Sequence, residues 1–344
     1  MTTIKDIARI SGYSIGTVSR VINHHPDVSD RAREVIERII EEQHFQPNQN
    51  AKQLKAASES PVAVIIKGIE NSFLNDLLVR VEERLAASGE EANVVFLSEG
   101  DNEVLTAVRM ENEIHPKGFV FLGGSHDNFQ NDFPLVHTPS VLVSAGASDL
   151  DSDLLSSFST DDYEGSRAAA RLFVKGGRKN VGFISGHFAI DADGKIVSPR
   201  LKGAVDELHE NGCSFDPDRQ LVYSHFTLKE GYNAAKKLLV KYPEMDALFA
   251  HSDIMALGAM RALHDEGKKV PEEIAVCGYD GISVGDFSVP RLTTIRQDTG
   301  LMAERAVNDL LFRMSYNRKT VHELIPHVVV ERESSGIGSD DRSF

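Results

Sequence analysis

The stretch T-I-K-D-I-A-R-I-S-G-Y-S-I-G-T-V-S-R-V-I-N (residues 3–23) decides how the rest of the chain is read. Thr3 can cap a first helix, with Asp6 three residues on as its reciprocal partner. Ile4, Ile7, Ala8 and Ile10 give that helix an apolar face. Gly12 ends it, because only glycine takes a positive φ cheaply. Ser14 then caps a second helix whose inner face is Val18, Val21 and Ile22. Ile15, Gly16, Thr17, Arg20 and Asn23 are left looking outward. Two short helices at this spacing, the second with a polar, arginine-bearing face, are how a helix-turn-helix presents side chains to a DNA major groove.

A third helix is predicted from Ser29 to about residue 44, with Ala32, Val35, Ile36, Ile39 and Ile40 as its stripe, and Pro47 stops it. The ten residues 48–57 are too few for a stable isolated helix. S-E-S-P (residues 58–61) reads as a linker. From Val62 the pattern changes to short apolar runs, V-A-V-I-I, N-V-V-F-L, G-F-V-F-L, S-V-L-V-S, N-V-G-F-I-S, D-A-L-F-A and I-A-V-C-G, alternating with amphipathic helices. Continuous apolar strands between helices mean parallel sheets covered on both faces. The length of this region calls for two lobes with a cleft between them.

These motifs resemble the lactose-repressor/galactose-repressor (LacI/GalR) family. The likeness rests on residues 3–23, on V-S-D-R-A-R-E-V-I-E-R-I-I-E-E-Q-H-F-Q-P-N-Q-N-A-K-Q-L (residues 28–54), on S-D-I-M-A-L-G-A-M-R-A-L (252–263), and on G-Y-D-G and L-T-T-I-R-Q-D within 278–298. It extends to about Arg332. It implies an α/β fold: a three-helix headpiece (residues 1–47), a hinge helix and linker (48–61), and a two-lobed periplasmic-binding-protein-like core with two parallel sheets. We place the first lobe at 62–161 and 293–322 and the second at 162–292 and 323–332, with crossings near 160, 292 and 323. The polar tail, residues 333–344, is expected to be flexible. It lacks the leucine heptad of the tetrameric members, so a homodimer is expected.

Bulk properties fit a soluble regulator. No apolar run approaches a membrane span and no signal peptide opens the chain, so a cytoplasmic protein is expected. Two cysteines, Cys213 and Cys277, need no disulfide. The first sixty residues carry eight basic and eight acidic side chains, leaving the whole net charge of -15 on the remainder. The first 26 residues nevertheless carry Lys5, Arg9 and Arg20 with Asp6 and no other acid. A locally basic face on a neutral headpiece can dock on DNA, while the acidic core repels it.

Arg20 is the leading base reader, since its guanidinium can bond both O6 and N7 of guanine. A phosphate contact is the plainer role. Ile15 and Gly16 stand where family members vary to set specificity. Ile15 can touch a thymine methyl, and Gly16 permits close approach at a cost of ~1 kcal/mol in helix stability. Thr3, Ser14, Thr17, Ser19 and Asn23 are expected to position the helix. By resemblance, Asn48, Ala51, Lys52, Leu54 and Lys55 form the hinge, in which paired leucines wedge into the minor groove of a palindrome. The family more often has arginine where Lys52 stands, which loses the planar fork.

Ligands of open α/β lobes sit at strand carboxyl ends. There the resemblance places Asn71 and Phe73, Arg200 in the first turn after Pro199, Phe226, Ser252 with Asp253, and Asp280; Asp162 lies at a lobe crossing. Arg200 can donate to vicinal hydroxyls, Asp280 can accept from them, and the phenylalanines can face a ring. Arg200 and Asp280 could equally pair across the cleft, the phenylalanines could be core, and Asp253 could only cap its helix. Ser252 in place of the usual asparagine, and the insertion H-F-A-I-D-A-D-G-K-I-V before Ser198, depart from the family pattern.

No catalytic or metal-binding motif is present, so neither enzyme chemistry nor a cofactor is expected. The leading reading is a regulator, most simply a repressor, of double-stranded operator DNA, switched by a small sugar-like effector. The alternative is a regulator of the catabolite-control type, switched by a protein corepressor. A solute-binding protein is the remote alternative, disfavoured by the DNA headpiece.

Overall fold

A computed structural model describes residues 4–14, 17–18, 21, 28–42, 60–68, 70–186, 189–316 and 318–336. The chain divides into two compact units, residues 1–60 and 61–344.

In the first unit, helix α1 (Ile4–Ser11) ends at Gly12, whose φ of 72° lies in the left-handed region that glycine occupies without strain. Ser14 takes up the next helix start. Its Oγ accepts from the Thr17 amide at 3.1 Å, and its carbonyl accepts from Val18 at 3.0 Å. Helix α2 (Asp30–Glu42) closes the core, in which Ile7, Ala8, Val18, Val21, Ile36 and Ile39 are buried. Ile10, expected on the inner face of α1, is exposed: three residues turn a helix by about 300°, which carries it to the margin of the stripe set by Ile7.

In the second unit the apolar runs form strands and the amphipathic segments cover them. The chain order is β1 (Val62–Lys67), α3 (Ser72–Ala87), β2 (Ala92–Leu97), α4 (Glu103–Ile114), β3 (Gly118–Leu122), α5 (His126–Asp132), β4 (Ser140–Val143) and β5 (Leu155–Thr160). It continues with α6 (Asp162–Lys175), β6 (Val181–Ser185), α7 (Pro199–Glu210), α8 (Pro217–Gln220), β7 (Leu221–Tyr223), α9 (Leu228–Lys241), β8 (Ala247–Ala250), α10 (Asp253–Asp265) and β9 (Ala275–Asp280). The last elements are β10 (Thr293–Arg296), α11 (Thr299–Ser315), β11 (His322–Ile325) and β12 (Val328–Val330). Two six-stranded sheets result, ordered β11-β5-β4-β3-β1-β2 and β12-β10-β9-β8-β6-β7. Every pairing is parallel except β10 with β12.

The chain passes between the sheets three times: after β5, after β10, and between β11 and β12. The first passage falls where expected, near 160. The second follows residue 296 rather than 292, because Thr293–Arg296 pairs with β9 in the second sheet. The third follows residue 325 rather than 323, because His322–Ile325 pairs with β5 in the first. T-T-I-R and H-E-L-I are short and half polar, so neither announces itself as a strand. Residues 333–336, expected in a flexible tail, belong to the fold. Glu333–Ser335 forms a turn that buries Ser334 and Ser335, and Ser334 Oγ accepts from the Thr293 amide at 2.8 Å and donates to the Val276 carbonyl at 2.7 Å. Residues 337–344 lie outside the described residues.

Residues 189–197 of the insertion before Ser198 fold as a small hairpin, with Ile190 bridged to Ile196. Asp191 Oδ1 holds its turn by accepting from the amides of Asp193 and Lys195.

Candidate functional site

Arg200 sits at the start of α7, whose entry is built by Ser198 as cap and Pro199 in the first turn. Its Nε lies 3.1 Å from Asp162 Oδ1 and its Nη1 3.7 Å from Asp280 Oδ1. Nη1 also donates to the His251 carbonyl at 2.8 Å. The guanidinium carbon stands 3.9 Å from the centre of the Tyr279 ring, and the Tyr279 hydroxyl donates to Asp162 Oδ1 at 2.8 Å. These groups come from α6, α7, β8 and β9, all in the second lobe. Arg200 and Asp280 therefore meet within one lobe, not across the cleft.

Two further residues complete the cluster. Gln297, at the passage from β10 to α11, donates through Nε2 to Asp280 Oδ1 at 2.7 Å. Its Oε1 accepts from Thr160 Oγ1 at 2.8 Å, at the passage from β5 to α6. A hydrogen-bonded chain thus joins Asp280, the arginine's ion-pair partner, to two of the three lobe crossings. Asp280 also has a φ of 115°, a conformation an L residue holds only when its surroundings impose it.

Burial dominates the electrostatics. It pushes Asp280 up to about 7, with Arg200 and the Gln297 bond partly offsetting it. Burial and the Arg200 charge together depress His251 to about 3, so its imidazole is neutral. Burial works against the Arg200 charge, but Asp162, Tyr279 and Asp280 outweigh it and hold the guanidinium more firmly protonated than usual. His251 Nδ1 lies 2.9 Å from Ser185 Oγ.

The other expected contacts are placed as follows. Asn71 caps α3, accepting from the amides of Phe73 and Leu74. Phe73 is 4% exposed and belongs to the first lobe's core, which leaves little of its ring for a ligand. Phe226 is half-buried, with its ring laid over Gly186, where a Cβ would come within 2.8 Å of it. Ser252 is buried as the cap of α10, accepting from the Met255 amide. Asp253 is fully buried, and its Oδ2 accepts from the amides of Gly281 and Ile282 at 2.7 and 2.8 Å. Of these two expected effector contacts, Ser252 is thus committed to the start of its own helix and Asp253 to the loop that follows Asp280. Tyr279, His251 and Gln297 are site residues that sequence reasoning does not reach. Tyr279 and Gln297 are the central residues of the G-Y-D and R-Q-D motifs, while nothing in the sequence singles out His251.

Of the expected DNA contacts, Ser14 and Thr17 are described, Ser14 exposed and Thr17 half-buried, with their hydroxyls 2.9 Å apart. Thr3, Ile15, Gly16, Ser19, Arg20, Asn23, Asn48, Ala51, Lys52, Leu54 and Lys55 lie outside the described residues. Among the described residues no cluster of side chains could hold a metal ion, and no helix is long and apolar enough to cross a membrane.

Residues 3–48 match the bacterial regulatory proteins of the lacI family, and residues 170–335 match a periplasmic binding protein-like domain. The chain is 32% identical over 337 residues to the HTH-type transcriptional regulator MalR of Clostridium butyricum, covering 96% of this chain and 98% of that protein. It is 30% identical to the ribose operon repressor of Lactococcus lactis, covering 96% and 97%. A solved structure of the transcriptional regulator CelR in complex with cellobiose superposes with a TM-score of 0.67 at 26% identity, covering 97% of this chain and 100% of that one. The Lac repressor dimer bound to operator shares the fold, with a TM-score of 0.77 at 23% identity over 97% and 99% of the two chains. The chain belongs to the LacI family of bacterial transcriptional regulators.

Proposed function

We propose that this regulator is a homodimeric repressor of a palindromic operator, released or engaged by a small neutral polyol, such as a sugar, held in the inter-lobe cleft. The observation that carries the ligand class is the charge state of the Arg200 cluster. The one guanidinium is already matched by Asp162 and Asp280, and the buried Asp280 gives up its proton reluctantly. A ligand meets donors and acceptors close to electrical balance, which suits hydroxyl groups and gives a phosphate or carboxylate no unmatched cation. The Thr160–Gln297–Asp280 chain supplies a physical route from ligand contacts to lobe geometry. Operator contact is assigned to Ile15, Gly16, Thr17 and Arg20, with Leu54 as the minor-groove wedge.

The dimer reading rests on apolar surface. Val284, Phe287 and Val289, on the loop between β9 and β10, are 55%, 81% and 95% exposed. Such a patch on a protomer marks an association face, and a second copy is the occupant that a palindrome requires.

Thermal shift of the full chain against ribose, cellobiose, other neutral mono- and disaccharides, nucleosides and sugar phosphates tests the proposal. A bound ligand at about 100-fold excess over Kd stabilises by about 2.7 kcal/mol. A neutral sugar that shifts the melt and changes operator affinity in a gel-shift titration is the expected result. A preference for sugar phosphates, or a blank panel from protein that still binds operator, rejects the effector assignment.

A further inference from the structure

We infer that Glu99 is a clasp for the cleft, fastening the two lobes at the edge opposite their chain connections. Glu99 follows β2 in the first lobe, and His225 follows β7 in the second. Glu99 Oε2 lies 2.5 Å from His225 Nδ1, and its Oε1 accepts from the Phe226 amide at 3.3 Å. One carboxylate therefore holds a side chain and a main-chain group of the other lobe at once.

The sheet orders give this contact its leverage. β2 and β7 are terminal strands of their sheets, and β11, β5, β12 and β10, where the chain passes between lobes, occupy the other ends. Five strand spacings of about 4.8 Å put the clasp roughly 24 Å from the hinge side. An opening of about 10° there would part the groups by about 4 Å, beyond hydrogen-bonding distance. The lobes cannot open appreciably with the clasp made.

Both ends of the clasp are firmly seated. On the Glu99 side, the Ser98 amide donates to Asp101 Oδ2 at 2.9 Å, which fixes the loop. On the other, the Ser224 amide donates to the Ser185 carbonyl at 2.8 Å, and the Phe226 ring rests on Gly186. Glu99 is thus also a positioning residue for Phe226, the aromatic expected to flank a ligand. The consequence for effector residence rests on the reading of the cleft as an effector site, but the contact itself can be tested without any ligand.

Hydrogen exchange of the ligand-free full chain is the test, read at the Phe226 amide with the amides of β9 as a control. The two side chains remain 37% and 55% exposed, so solvent weakens the pair. Glu99→Ala is expected to speed Phe226 exchange about threefold to fivefold without altering β9. Glu99→Gln, which keeps an Oε1 acceptor for the Phe226 amide, is expected to retain more of the protection than Glu99→Ala. Unchanged exchange in E99A, or exchange in E99Q as fast as in E99A, overturns the clasp. If E99A also loosens β9, the wild-type chain decides: added salt should speed Phe226 selectively, and a flat salt response overturns the proposal. With no sugar present, a failed effector screen leaves these outcomes intact.

Discussion

Replacing Asp280 with asparagine should change how stability responds to pH, because two neighbouring buried groups titrate in opposite senses. The folded chain holds Asp280 up to about 7, against about 3.9 for an unfolded aspartate. Its contribution to stability is full below the unfolded value and is lost as pH rises through the folded one. His251 is depressed to about 3, against about 6.5 unfolded. Its contribution is full above the unfolded value and is lost as pH falls toward the folded one. Taking the chain from about pH 7.5 to about pH 5, Asp280 adds about 2.5 kcal/mol while His251 removes about 2 kcal/mol. In the native cluster the two nearly cancel. Asp280→Asn keeps an oxygen for the Gln297 bond but removes the first contribution, so the variant should lose about 2 kcal/mol over that interval and fall about 2.5 kcal/mol behind the wild type. His251→Gln should show the reverse, gaining about 2.5 kcal/mol as pH falls. Urea unfolding followed by circular dichroism at both pH values gives the comparison, and differences between variants cancel the titration of all other groups. If the Asp280→Asn curve stayed parallel to the wild type to within about 0.5 kcal/mol, the raised Asp280 would be refuted.

Three further outcomes are expected. Ser14→Ala removes the side-chain cap on the Thr17 amide and should cost about 1 kcal/mol, seen as roughly fivefold faster exchange at that amide. Gly258→Ala should destabilise by about 2–3 kcal/mol in urea unfolding, because its Cβ would lie 2.1 Å from the Leu228 carbonyl and force α10 off α9. Phe287→Asp should convert the proposed dimer to a monomer in sedimentation velocity, while unchanged sedimentation would refute this face as the interface.

The sequence announces elements whose own residues carry the signal. V-A-V-I-I and G-F-V-F-L read as buried strands because their side chains are apolar throughout. β5, L-S-S-F-S-T, is buried along its whole length yet reads as polar. Its serines are satisfied by partners far along the chain: Ser156 Oγ accepts from Val321 and Arg313, and Ser157 Oγ lies 2.8 Å from His322 Nδ1. No local periodicity can reveal bonds of that kind. The site divides in the same way. Arg200 and Asp280 stand out by motif and helix-start chemistry. Gln297 gains its place only from the position of the lobe crossing, and that crossing depended on a strand the pattern did not show. Ser252 and Asp253 look like ligand groups by composition and turn out to spend their hydrogen bonds on the protein itself.

Gly203 has a consequence for how this regulator can change over generations. It lets α7 lie directly against α6, for a Cβ there would sit 2.1 Å from the Tyr163 carbonyl. Arg200, in the first turn of α7, and Asp162, the first residue of α6, are thereby carried on one rigid block. Mutation cannot tilt one against the other without prying the helices apart. Variation that the fold tolerates is confined to groups hung from loops, Phe226 and the hairpin around residues 189–197 among them. On this scaffold, change in the loops can reshape the surroundings of the Arg200–Asp162 pair while the spacing of the pair itself stays fixed by the helix contact.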